Sequence, residues 1–317
     1  MLHLVVFSGL SNRLFAIISA MRYARQTQQE IIIYWYNPVS RYGLPYEGTK
    51  PEVEHLNCFF KKLPNITLKT WVPELIDNLK REGNAMVYDG TEIIPQFMQK
   101  NPDGSTKFPS DFNLLISRPL GFPRMNNIIV NMPTHPWGFD DDPMATYKNY
   151  PNEPGMIKVK SQYERELSKF AKKLEPISSL LSLIRHHQSL FNDSTKSLGH
   201  VKKLGIHIRR SDLKTNVTDE QLDNIIDKYV NQYTRSHGIW ITSDDLEIQN
   251  RYLSKYPKVI GYTDPTKTQN NLVGVQKALV DLYILASCDH ILGTAGSSFS
   301  YFSWMLANDS TTFEIHS

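Results

Sequence analysis

The chain has 317 residues, 40% of them hydrophobic and 21% charged, with a formal net charge of +3. That length fits two domains that each bury a core, and the composition excludes a disordered chain. The charge is too small and too scattered for a nucleic-acid-binding protein, and no apolar run approaches the ~20 residues that span a bilayer.

The sequence opens with LHLVVF, a predicted strand, then SGLSN, a predicted turn, and RLFAIISAMRYARQT, a predicted helix with Leu14, Ile17, Ile18 and Met21 at helical spacing. IIIYWY follows as a second strand. From 37 to 155 proline and glycine interrupt the pattern, with short strands expected near Ala85–Tyr88 and Ile128–Asn131. The stretch SQYERELSKFAKKLEPISSLLSLIRHH reads as helix that Pro176 should kink or divide, and LFNDSTKSLGH reads as a loop.

Beyond it the alternation becomes regular. LGIHI is a predicted strand, and Thr218 with Gln221 forms a capping box that starts a helix. GIWIT, KVIGY, DHILGT and TTFEIH are further strands, separated by the helical patterns SDDLEIQNRYLSKY, NLVGVQKALVDLYILASC and GSSFSYFSWMLA. Such alternation predicts a parallel sheet with helices on both faces. The expected architecture is therefore α/β: an N-terminal domain over 1–155, a helical connection over 156–190, and a doubly wound, Rossmann-like domain over 191–317.

Four stretches sit where such folds hold ligands, at the ends of strands. Gly9–Leu10–Ser11–Asn12–Arg13 is either a phosphate-accepting helix start or a turn capped by Ser11 or Asn12. Ser11 fills the second glycine position of a dinucleotide fingerprint, which argues against dinucleotide binding. His207 and Arg209 fall on the face opposite Ile206 and Ile208, and Arg209–Arg210 with Asp212 is either a surface ion pair or an anion-binding fork. Asp281, inside the apolar run ALVDLYILA, needs either an arginine partner or a polar ligand. Thr294–Ala295–Gly296–Ser297–Ser298 is either an ordinary capped turn or a phosphate site at a helix start. The last three belong to the ends of neighbouring strands and together suit a nucleotide diphosphate.

Cys58 and Cys288 match no zinc or redox spacing and are expected to be free thiols. No leader pattern precedes LHLVVF, so the protein is expected in the cytoplasm and its sequons at Asn65, Asn192, Asn216 and Asn308 unused.

GIHIRRSD, WITSDD and ALVDLYILASCDHILGTAGSSFSYFSWML resemble, in order, the three motifs of the superfamily that includes α-1,6-fucosyltransferases, nodulation fucosyltransferases and protein O-fucosyltransferases. FSGLSNRLFAIISAMRYA is similar to its N-terminal opening, so the resemblance covers 1–35 and roughly 200–317. It implies a GT-B-like fold of two Rossmann-like domains facing a cleft, and inverting transfer of L-fucose from GDP-fucose to a glycan acceptor. It also implies that no metal or other cofactor is needed. Arg209 would bind the β-phosphate and stabilise departing GDP, while Arg210 would support the phosphates or order the loop with Asp212. His207 and Asp281 would contact the nucleoside, and Ser297 with Ser298 the phosphates. Gly9, Asn12 and Arg13 would approach from the first domain. Asp244 and Asp245 are expected to order loops, and Asp140–Asp142 to form an exposed acidic loop. The alternatives are a transferase for another nucleotide-deoxysugar and a non-catalytic nucleotide- or glycan-binding relative. Trp35, Tyr36, Trp71 and Trp137 either stack on an acceptor sugar or fill a core.

Overall fold

The computed structural model describes residues 2–6, 10–35, 56–70, 78, 81, 85–89, 99–100, 106–107, 127–132, 155, 157–210, 217–263 and 272–316. Two compact units make up the chain, Met1–Tyr150 and Pro151–Ser317.

The first unit runs β1 (Leu2–Val6), α1 (Leu10–Thr27), β2 (Ile31–Trp35), a 3-10 turn at Leu56–Cys58, β3 (Ile66–Thr70), β4 (Ala85–Asp89), β5 (Gln99–Lys100), β6 (Thr106–Lys107) and β7 (Asn127–Met132). Its main sheet has the order β3-β2-β1-β7-β4, every pair parallel, and β5 and β6 form a separate antiparallel pair. The central strand buries Leu2, Leu4 and Val6 on one face and His3 on the other, as a strand covered on both faces must. α1 begins at Leu10, so Ser11 and Asn12 lie inside its first turn. This corrects the predicted turn, because the apolar stripe of Leu14, Ile17 and Ile18 buries from the helix's first turns onward.

The second unit begins with α2 (Gln162–Ala171) and α3 (Ser178–Ser197). The helical pattern is divided between Ala171 and Ser178, a gap that contains Pro176, whose ring and missing N–H bar one continuous helix. α3 continues through LFNDSTKS, expected as loop, because Phe191 and Thr195 are buried on its inner face. The stretch 156–190, expected as a connection, lies within this unit, with α3 packed on β9 (His237–Ser243) and on α6 (Leu272–Ala286).

The remaining elements are β8 (Lys202–Ile208), α4 (Asp219–Tyr233), α5 (Leu246–Lys255), β10 (Val259–Ile260), β11 (His290–Thr294), α7 (Ser298–Leu306) and β12 (Thr312–His316). The sheet order is β10-β9-β8-β11-β12, all parallel. The chain steps outward from β8 to β10, then returns to β11 on the other side of β8. Strand order therefore reverses between β8 and β11. On one face Leu204, Ile206, Ile208, Ile239 and Ile241 pack against Leu222, Ile226, Tyr229 and Tyr252 of α4 and α5. On the other, a Cβ on Gly205 would fall 2.7 Å from Leu285 and 3.0 Å from the Cys288 sulfur, so glycine lets α6 lie close against the central strand. The Thr218–Gln221 capping box forms as the sequence predicts. Lys158 pairs antiparallel with Phe313, which covers the backbone edge that β12 would otherwise expose.

Candidate functional site

Strand order reverses between β8 and β11, and their pairing stops at Ile206↔Leu292; the C-terminal end of such a reversal is the crevice where open α/β sheets bind ligands. β8 delivers His207, Arg209 and Arg210 there, and β11 delivers Thr294 and the turn into α7. Gly296 takes φ 70, a left-handed conformation that glycine adopts without strain, and Ser297 follows as the N-cap of α7. Ser297 makes no capping hydrogen bond, and its buried Oγ has no hydrogen-bond partner. A buried hydroxyl without a partner costs free energy. It is tolerated here beside the exposed N–H groups of a helix start, which favour an anion.

His207 is buried, its Nδ1 lies 2.7 Å from Ser300 Oγ, and its ring packs on Phe299 with centroids 4.8 Å apart. Its ring is thus fixed against α7. The Arg209 backbone N–H donates to Thr294 Oγ1 at 3.0 Å, and the Arg209 side chain is half-buried at the crevice. Arg210 is held differently. Its backbone N–H donates to Asp244 at 2.8 Å, one guanidinium nitrogen donates to the Val217 carbonyl at 2.7 Å, and another pairs with Asp219 at 2.5 Å. Of the two roles expected for Arg210, this geometry fits the loop-ordering one, with Asp219 as carboxylate partner. Asp212, the partner expected from sequence, lies outside the described residues, as do Gly9 and Asp140–Asp142. Asp244 and Asp245 both order backbone: Asp245 accepts from the N–H groups of Glu247 and Ile248 as the N-cap of α5.

Asp281 is 1% exposed on α6. Burial lowers the His187 pKa and the neighbouring His186 lowers it further, while the Asp281 charge raises it, so His187 and Asp281 share an electrostatic environment. The His187 ring lies 4.1 Å from that of Tyr262 and edge-on to Trp240 at 6.3 Å. Of these rings, His187 is the one whose charge state responds to Asp281. Sequence reading missed His187 and Tyr262; the one signal was a histidine pair within an otherwise aliphatic helix pattern. It also missed His316, which lies at the end of β12 with Nε2 3.0 Å from the His207 carbonyl. Asn12 and Arg13 stand on α1 in the first unit, with Arg13 7% exposed. Among the described residues no group of three or more His, Cys, Asp or Glu side chains could hold a metal ion. No described helix is long and apolar enough to cross a membrane.

No family model matches the chain, and no curated protein does. Solved structures do. The fucosyltransferase NodZ from Bradyrhizobium superposes with a TM-score of 0.57 at 14% identity, covering 96% of this chain and 93% of that one. A NodZ alpha-1,6-fucosyltransferase soaked with GDP-fucose gives 0.56 at 15%, over 96% and 92% of the two chains. Arabidopsis thaliana FUT1, in complex with GDP, gives 0.56 at 14%, over 96% of this chain and 68% of its own. The chain has a fucosyltransferase-like fold. In that fold the parallel sheets and the GT-B-like pair of α/β units expected from sequence are present. A shared fold does not by itself carry an activity, which has to be argued from the crevice.

Proposed function

We propose that the protein is an inverting glycosyltransferase that moves L-fucose from GDP-fucose to a glycan acceptor. The observation that carries this reading is the crevice at the strand-order reversal. Arg209 borders it on one side, and the α7 start with the unpartnered Ser297 hydroxyl borders it on the other. A diphosphate between them meets a guanidinium fork, a hydroxyl and helix N–H groups, three kinds of donor suited to anionic oxygen. The GDP-fucose and GDP complexes of the structural neighbours support the choice of nucleotide.

In the proposed reaction an acceptor hydroxyl attacks the anomeric carbon and the carbon–oxygen bond to the β-phosphate breaks. GDP leaves with the bonding pair, and the proton of the acceptor hydroxyl is released to water. Charge grows on the β-phosphate as that bond breaks, and the Arg209 guanidinium would stabilise it more in the transition state than in the bound donor. Arginine and the α7 start take the place that a cation holds elsewhere, so activity should survive EDTA. Asp244 and Asp245, the acidic pair in the described crevice loop, already serve backbone N–H groups.

The test is release of GDP from GDP-fucose by the purified protein, with and without a mixed glycan acceptor pool, beside other nucleotide sugars. Turnover confined to a different sugar would replace fucose with that sugar. GDP binding without turnover of any donor would favour a non-catalytic nucleotide-binding relative. No binding of any nucleotide would end the reading.

A further inference from the structure

β8 and β11 pair only as far as Ile206↔Leu292, although β8 continues beside β9 to Ile208↔Ser243 and β11 continues beside β12 to Thr294↔His316. The next step of a parallel ladder would set Thr294 against Ile208. Its backbone N–H would donate to the His207 carbonyl, and its own carbonyl would accept from the Arg209 N–H. Instead the Thr294 side chain performs both tasks. Its hydroxyl donates to the His207 carbonyl at 2.9 Å and accepts the Arg209 N–H at 3.0 Å. The backbone thereby released starts the turn into α7, for Thr294 N–H donates to Ser300 Oγ at 3.3 Å and the Thr294 carbonyl accepts Ser297 N–H at 3.1 Å.

His316 completes the arrangement from β12. Its Nε2 lies 3.0 Å from the His207 carbonyl and 3.3 Å from Thr294 Oγ1. A carbonyl can only accept, so Nε2 carries the proton and the imidazole is a donor. Burial also lowers its pKa to about 4, which keeps the ring neutral near pH 7.

We propose that Thr294 and His316 are a positioning pair that holds β8 and β11 a side chain apart and so fixes the peptide from which Arg209 reaches the crevice. Threonine is suited to this because its hydroxyl donates and accepts at once. Valine has the same shape and does neither.

Backbone amide exchange at Arg209 reads the pair without any ligand. Thr294→Val removes the acceptor of that N–H, and exchange should quicken by about tenfold or more relative to wild type. Thr294→Ser keeps the hydroxyl and should stay close to wild type. His316→Phe keeps a ring without the N–H and should also speed exchange. His316→Gln, whose amide nitrogen reaches the place of Nε2, should restore it, and His316→Asn, one bond shorter, should not. Exchange in Thr294→Val and His316→Phe as slow as in wild type would overturn the pair. Should Thr294→Val not fold, the three His316 variants decide the matter.

The consequence for ligand rests on the proposed function and is read separately by calorimetric titration of GDP. Affinity should fall about tenfold in Thr294→Val and His316→Phe and return in Thr294→Ser and His316→Gln. Wild-type affinity in all four variants would overturn the positioning role. Wild-type protein that binds no GDP would end the proposed function, while the exchange series still decides the pair.

Discussion

The second unit buries polar side chains at two places along one sheet, and they behave in opposite ways. Away from the crevice, Glu314 on β12 accepts from the Tyr229 hydroxyl, and its other oxygen stands 3.3 Å from His290 Nε2. His290 in turn meets Thr312 Oγ1 at 2.6 Å through Nδ1 and stacks on Tyr233. The Tyr229 hydroxyl and the Glu314 carboxylate thus satisfy each other, while His290 Nε2 stands beside the carboxylate without a hydrogen bond. At the crevice, Ser297 keeps a buried hydroxyl with no partner, and the ladder between β8 and β11 opens beneath it. Burial of polar groups therefore does not mark a site. What distinguishes the crevice is that its unpartnered hydroxyl caps a helix start where the ladder between β8 and β11 has stopped.

The comparison breaks most visibly if Glu314→Ala is harmless. Truncation would strand the Tyr229 hydroxyl in a buried place and remove the carboxylate beside His290, a loss on the order of 3 kcal/mol. Chemical denaturation should show it as a lower midpoint with an unchanged slope. GDP binding to the protein that remains folded should not change. A weaker GDP affinity at unchanged stability would reassign this cluster to the site.

Acid tests both places at once. Burial lowers the pKa of His316 to about 4 and lowers those of His290 and His237 as well. Each is neutral in the folded protein, while the unfolded chain takes up a proton near pH 6.5. For His316 the unfolded state thus binds more protons between pH 6.5 and 4, so its stability contribution is present above pH 6.5 and falls as pH drops toward 4; His290 and His237 act in the same direction. His316 alone accounts for a loss on the order of 3 kcal/mol over that window. Unfolding measured at pH 7, 6, 5 and 4 should show it, and His316→Gln should flatten the profile. A wild-type profile flat from pH 7 to 4 would contradict neutral burial of these rings.

At the crevice the largest effect belongs to Arg209. Lysine keeps one charge and loses the fork that donates two parallel hydrogen bonds, so Arg209→Lys should lower kcat by about a hundredfold. Stability should change little, which is the reverse of Glu314→Ala. Near-normal kcat in Arg209→Lys would move the stabilisation of departing GDP to another group.

Much of the second unit was readable from sequence because its signals are local. Thr218 and Gln221 cap a helix within four residues, and the strand pattern of LGIHI depends only on alternation. Arg209, Asp281 and Ser297 stand out in the sequence as candidates because arginine at a strand end, a lone carboxylate in an apolar helix and a small-residue turn are each unusual in place; their roles rest on the substitution tests. Arg210 was harder: two roles fit the sequence, and the choice depends on Asp219, which reaches it only after the chain turns into α4. Thr294 and His316 are illegible for the same reason at longer range. Nothing in GTAGSS or FEIH says that a ladder step will be missing, since that depends on how β8, β11 and β12 meet in three dimensions.

Base identity sharpens the comparison at a smaller scale. Guanine offers N1–H and an exocyclic amine side by side, and a carboxylate such as Asp281 accepts both, whereas adenine and uracil lack that donor pair. GDP should therefore bind about tenfold more tightly than ADP or UDP, and Asp281→Asn, with one acceptor, should remove most of the preference. Calorimetry with the three nucleotides gives the ratio directly. Equal affinities in the wild type would remove both the base-reading role and GDP-fucose as donor.

The smallest expected effect is the most discriminating, because it concerns a single oxygen. An N-cap serine that bonds its helix loses about 1 kcal/mol of stability on replacement by alanine. Ser297 makes no such bond, and its Oγ is buried without a partner, so Ser297→Ala removes a desolvated group and little else. The melting temperature should stay level or rise slightly. GDP affinity should fall by about three- to tenfold, the contribution of one hydrogen bond to an anionic oxygen. The two readouts move in opposite senses only if the hydroxyl is held for a ligand. A lower melting temperature with unchanged GDP affinity would make Ser297 an ordinary cap, and the crevice would then differ from the Glu314 cluster in shape but not in chemistry.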